Sequence, residues 1–141
     1  MGYSTEMKES ARRHYRAASE LHAIAGPGSQ PGCRAVAGYL YGIAGELALK
    51  ELMREAGLRP LSANERRNDP FFAHFPDLQT MLNDHASGRR AGRAVPLLTA
   101  KRLFSGWNTN MRYAPTSDVS RQRISDWQED ARKLLDIVGT L

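Results

Sequence analysis

One carboxylate constrains this chain more than any other residue. Glu46 is the only charge in AVAGYLYGIAGELAL, residues 35–49, a stretch otherwise apolar or small. A run this apolar is expected as a central helix of the core. An unpaired carboxylate there would cost several kcal/mol or be forced to hold its proton. Glu46 therefore needs a partner. Lys50, one helical turn on, is the near candidate, and the Arg112-Tyr113 pair is the distant one.

With 141 residues the chain is expected to form one domain, 1–141, burying about two thirds of the surface its unfolded form exposes. The apolar run around Glu46 is too short and interrupted for the roughly 20 residues that cross a bilayer, so no membrane partner is expected. The first residues, MGYSTEMKESARRHYRAA, lack the apolar run of a secretory signal. Cys33 is the single cysteine, which excludes a disulfide framework and a cysteine metal cluster, and it has no nearby His to make it a nucleophile. The expectation is a soluble cytoplasmic protein. Walker-type loops, dinucleotide fingerprints after a strand, His-Glu-x-x-His and Cys-x-x-Cys are all missing from the sequence, so neither a metal nor a cofactor is expected.

The net charge of +5 is unevenly spread. Residues 86–113 hold Arg89, Arg90, Arg93, Lys101, Arg102 and Arg112 and no acid, whereas the rest of the chain is nearly neutral. Such a segment either attracts a polyanion, usually nucleic acid, through counterion release, or is a solvated Arg-rich connector.

Met7, Ala11, Tyr15, Ala18, Leu21 and Ala25 form one apolar stripe of a helix starting near Ser4. GPGSQPG, residues 26–32, is a run of breakers expected as a turn. A second helix is expected from about Cys33 to Ala56, stopped by Gly57. Its Gly38, Gly42 and Gly45 weaken the helix but admit a close neighbour, either a second copy of the chain or the interior of its own bundle. Residues 57–73 form a polar connector, and His74-Phe75-Pro76-Asp77 opens a helix continued by Leu78, Met81 and Leu82 to Ser87-Gly88. A short helix is expected over Ala94–Phe104, an ordered loop over 106–115, and a last helix from Asp118 to Val138 carrying Ile124, Trp127, Ala131 and Leu134. The aromatic and amide cluster Trp107, Asn108, Asn110, Arg112 and Tyr113 is either a ligand-binding loop or a loop whose rings plug one end of the bundle, and Trp107 is expected as the plug. The fold class is all-α, an antiparallel bundle of four to five helices.

The sharpest chemical pattern is Arg67-Asn68 followed by His74. An imidazole can act as general base or acid in RNA cleavage while a guanidinium holds the phosphate. The competing reading makes His74 a capping or packing residue at a helix start. Arg16 and His22 repeat the pattern at a spacing that turns the two apart on a helix, and they are expected on a solvated face.

Taken in order, RRHYRAASELHA, GYLYGIAGELALKELMREAG, HFPDL and FSGWNTNMRYAP resemble the motifs of small bacterial proteins of the HEPN class (higher eukaryotes and prokaryotes nucleotide-binding), from about Arg12 to Pro115. The resemblance implies an α-helical bundle, frequently a homodimer, encoded in toxin-antitoxin, phage-defence or other stress systems, with an antitoxin or larger defence assembly as partner. Active members are metal-independent endoribonucleases whose Arg and His meet at a dimer cleft. Their motif is an Arg, usually followed by a polar residue, with four to six residues before a His, and only Arg67-Asn68 to His74 matches it fully here. In the family that motif lies on or near a late helix, whereas here it lies in a Pro-containing connector. Members without it bind nucleotides, RNA or partner proteins. Two readings follow: an RNA- or nucleotide-directed effector in which Arg67 and His74 cleave and the basic segment holds phosphates, or a non-catalytic binding or scaffold protein centred on Glu46, Lys50, Arg112 and Tyr113.

Overall fold

The computed structural model describes residues 5–24, 31–85 and 101–139. Among them there is no strand, and four α-helices build an all-α bundle: α1 (Met7–Ala23), α2 (Pro31–Glu55), α3 (Asp77–His85) and α4 (Arg121–Val138). None of these helices is long and apolar enough to cross a membrane. Short 3-10 turns at Ala63–Asn68, Pro70–Phe72, Thr109–Tyr113 and Thr116–Asp118 fill the connections.

The stripe expected on α1 is its packed face, with Ala11 and Ala18 fully buried and Tyr15 and Leu21 against the core. Glu6 and Met7 share a cavity wall with Glu51 and Arg54 of α2, while His22 reaches Tyr41, so α1 and α2 run antiparallel. α2 begins at Pro31, inside the expected breaker run, because proline fits the first helical turn, whose N–H groups have no partner in the helix. Its end is a glycine-stopped turn: Gly57 has φ +96°, its N–H donates to Arg54 O at 3.0 Å, and Leu58 N–H donates to Met53 O at 3.0 Å. α4 starts three residues later than the expected Asp118, since Asp118 belongs to a 3-10 turn and the Ser120 hydroxyl caps the helix by accepting from Arg123 N.

Gly38, Gly42 and Gly45 of α2 serve the interior of this chain. Gly38 faces Trp127 and Ile124, Gly42 faces the Trp107 indole, and Gly45 faces the Phe104 ring. Trp107 is buried as expected, 1% exposed, but beside Gly42 midway along α2 rather than at one end of the bundle, and its Nε1–H donates to Tyr39 O at 3.2 Å. A Cβ at Gly42 would overlap that indole. Gly42→Ala is expected to destabilise the protein by about 1–3 kcal/mol, the cost of overpacking a filled core. A lowered melting temperature in calorimetry is the expected readout, and an unchanged one would mean the indole moves aside without cost.

The segment 101–107, which supplies the Phe104 and Trp107 rings, is held by two buried polar side chains. Gln79 of α3 donates from Nε2 to Lys101 O at 2.8 Å and accepts from Leu103 N at 2.7 Å. Asp130 of α4 accepts from Phe104 N at 2.9 Å, and its other carboxylate oxygen lies 2.7 Å from Lys101 Nζ. The second contact is ionic rather than a directed hydrogen bond. Phe104 has φ +52°, a conformation a bulky residue adopts only when its surroundings hold it there. Residues 101–104 thus form a turn, not the end of the short helix expected over Ala94–Phe104, whose earlier part lies outside the described residues.

Candidate functional site

The hydrogen-bonding partner of Glu46 is His74 rather than Arg112, and the expected Lys50 acts on Glu46 through its charge. Glu46 is 3% exposed in the middle of α2. Its Oε2 lies 3.0 Å and its Oε1 3.2 Å from His74 Nδ1, and Oε1 also accepts from Phe75 N at 2.9 Å. An ionised carboxylate only accepts, so in that state Nδ1 carries the shared hydrogen, and the neutral tautomer that fits this contact has its lone pair on Nε2. Burial pushes the Glu46 carboxyl above the usual carboxylate range, opposed by His74, the Phe75 N–H and the charge of Lys50. Lys50 is itself buried, and burial lowers its pKa against the attraction of Glu46 and Asp69. Glu46 thus couples to two groups, the His74 imidazole at the surface and the buried Lys50 amine.

His74 keeps its backbone role at the helix start, its carbonyl accepting from Leu78 N at 2.8 Å. Its side chain turns the other way. With 53% of that side chain exposed, the ring links a buried carboxylate to the surface. It lines an open cavity of about 410 Å³ that Arg67, Asp69, Asn108 and Asn110 also line. Arg67 and His74, paired by sequence spacing alone, therefore share one cavity wall.

Asp69 makes that possible. It is 1% exposed, accepting from Leu61 N at 2.8 Å and Phe71 N at 3.0 Å, which folds the connector into two 3-10 turns. The legible signal was Asp69 directly before Pro70, since aspartate commonly caps the N–H two residues on. Arg66, next to Arg67, lies with its guanidinium 4.7 Å over the Phe72 ring. Asn108 and Asn110 come from the far loop, where Asn108 Oδ1 accepts from Asn110 N at 2.8 Å. Both belong to the aromatic and amide cluster singled out in the sequence, and of that cluster only these two asparagines line the His74 cavity.

The other expected site residues separate. Arg112 makes no ion pair with Glu46; it is exposed, its Nε donating to Thr109 O at 3.0 Å, and Tyr113 beside it is also exposed. The polar centre expected from Glu46, Lys50, Arg112 and Tyr113 is therefore Glu46, His74 and Lys50, because the 3-10 turn carrying Arg112 directs its side chain to the surface. Lys101 is drawn to Asp130, while Arg102 is exposed. Arg89, Arg90 and Arg93 lie outside the described residues. Arg16 is solvated as expected, but His22 is half-buried: its Nδ1 lies 3.0 Å from the Tyr41 hydroxyl, and burial, with Arg34 nearby, lowers its pKa.

Compared with known protein families, curated proteins and solved structures, the chain matches none.

Proposed function

We infer that this is an RNA-directed, HEPN-like protein that cleaves RNA without a metal, with His74 as the proton-transfer group and Arg67 as the phosphate clamp. The observation that carries the reading is the contact of His74 Nδ1 with buried Glu46 on a ring that opens onto the cavity lined by Arg67. A carboxylate fixes the tautomer and orientation of the imidazole and favours the imidazolium that forms when Nε2 takes a proton.

In the reaction, Nε2 of His74 removes the proton of a ribose 2′-hydroxyl and the O2′ attacks the adjacent phosphorus. The bond to O5′ breaks, leaving a 2′,3′-cyclic phosphate and a 5′-hydroxyl, whose proton comes from the imidazolium or from water. Arg67 neutralises the charge that builds on the non-bridging oxygens. The HEPN resemblance supplies the setting of this proposal: a cytoplasmic homodimer from a toxin-antitoxin or phage-defence system, held by an antitoxin or defence-system protein. The non-catalytic alternative rests on the burial of Glu46 and Lys50, which by themselves serve a structural centre.

The test is cleavage of total and transfer RNA in EDTA by wild type, His74→Ala and Arg67→Ala. Cleavage by wild type alone is the expected result. Inert protein that still binds RNA would leave a binding role, and the absence of both would leave the scaffold.

A further inference from the structure

The turn Thr109–Tyr113 carries Arg112 and Tyr113, the surface end of a stacked series that starts in the core and that the proposed chemistry does not use. Buried Trp107 lies nearly parallel to Tyr39, with ring centroids 5.6 Å apart and 16° between planes. The Arg112 guanidinium carbon lies 6.0 Å from the Tyr39 centroid and 5.1 Å from the Tyr113 centroid. Its Nε hydrogen bond to Thr109 O fixes the guanidinium to the turn. Tyr113 ends the series and is 78% exposed, the most open large hydrophobic side chain among the described residues.

We propose that Tyr113, backed by Arg112, is a stacking platform for an unpaired base of single-stranded RNA running past the His74 cavity. The inference rests on the RNA-directed reading and names the part of the substrate that this surface holds. Every nucleobase has a face that stacks on a tyrosine, and single-stranded RNA is read largely through such contacts, with arginine adding its own stacking and its charge. The surroundings favour a base over a protein partner. Of its neighbours along the chain, Asn110, Arg112, Pro115, Thr116 and Ser117 are exposed and mostly polar, whereas an interface anchor is typically set in an apolar centre. Position favours it too. Thr109 and Asn110, at the start of the same turn, line the His74 cavity. A 3-10 turn rises about 2.0 Å per residue, which sets Tyr113 about 8 Å further along, within reach of the same short strand.

The experiment uses wild-type protein and a 2′-O-methyl oligonucleotide, which lacks the attacking hydroxyl, carrying 2-aminopurine as reporter. Binding is expected to quench the reporter. Tyr113→Ala is expected to weaken binding by about 5- to 150-fold, the range for losing one base–aromatic stack, while Tyr113→Phe keeps the affinity. An abasic oligonucleotide and a full duplex are expected to bind wild type and Tyr113→Ala alike. Tyr113→Ala binding the single strand as tightly as wild type would overturn the proposal. So would an equal loss on the abasic and duplex probes, or a free mononucleotide quenching as well as the strand. If these arms behave as expected but natural RNA is never cut, the cleavage reading fails and the platform stands. If cutting proceeds and Tyr113→Ala changes no affinity, the platform alone fails. No binding of any probe overturns both.

Discussion

Glu46→Ala is expected to lower the free energy of unfolding by about 3–5 kcal/mol, the range for removing one half of a buried charged pair. Three groups lose their partner together. The Phe75 N–H loses its acceptor, the His74 ring loses the group that orients it, and buried Lys50 loses its stronger counter-charge. Urea denaturation of wild type and variant measures the loss, and coincident curves would remove the buried polar centre from the account of stability. Glu46→Gln is expected to cost less, because the amide oxygen can still accept from Phe75 N.

The same pair of proteins gives a pH signature with a defined sign. Burial raises the Glu46 carboxyl above its value in the unfolded chain, about 4.3 for a free glutamate. The folded state therefore holds its proton at pH values where the unfolded state has released it. Its contribution is fully present below the unfolded value and is lost as pH rises through the folded one. Wild-type stability minus that of Glu46→Gln is thus expected to fall over that window and then to level off. The groups facing Glu46 are His74 and Lys50, and both act against the burial effect. A difference that rose with pH would mean that these partners outweigh it.

His74→Ala is expected to reduce RNA cleavage by about 10²- to 10⁴-fold, the usual contribution of a positioned acid–base group. The fall should appear in kcat, since the imidazole acts on the proton in flight rather than on substrate binding. Because His74 also holds Glu46, His74→Asn is the informative companion. Its amide N–H can take the place of Nδ1–H toward the carboxylate, yet it offers no base. Wild-type stability with lost cleavage in His74→Asn would assign the defect to chemistry. Arg67→Ala is expected to cost about 10²- to 10³-fold, as the loss of one donor to developing charge does. Full cleavage by His74→Asn would place the reaction elsewhere in the molecule.

Much of the helical frame was legible because helix periodicity is a local property. The spacing of Met7, Ala11, Tyr15 and Ala18, the stop at Gly57, and the stripe of Ile124, Trp127, Ala131 and Leu134 each follow from residues within a few turns of one another. Short polar links were less legible. The turn at 101–104 depends on Asp130 and Gln79 from other helices, and a helical pattern read through Phe104 could not reveal them. The α2 glycines signalled close approach, and only packing decided that Trp127, Trp107 and Phe104 of the same chain fill their spaces.

The site divides in the same way. That Glu46 must have a partner was determined by the sequence alone, because the desolvation cost of a carboxylate follows from the apolar residues around it. That the partner is His74, 28 residues away, and that His74 and Arg67 line one cavity, was decided only by tertiary structure. The choice among Lys50, Arg112 and His74 depends on how Asp69 folds the connector back over α2 and on which way the turn at Arg112 points. Burial is set by neighbours in sequence, whereas pairing is set by the path the chain takes between the two partners.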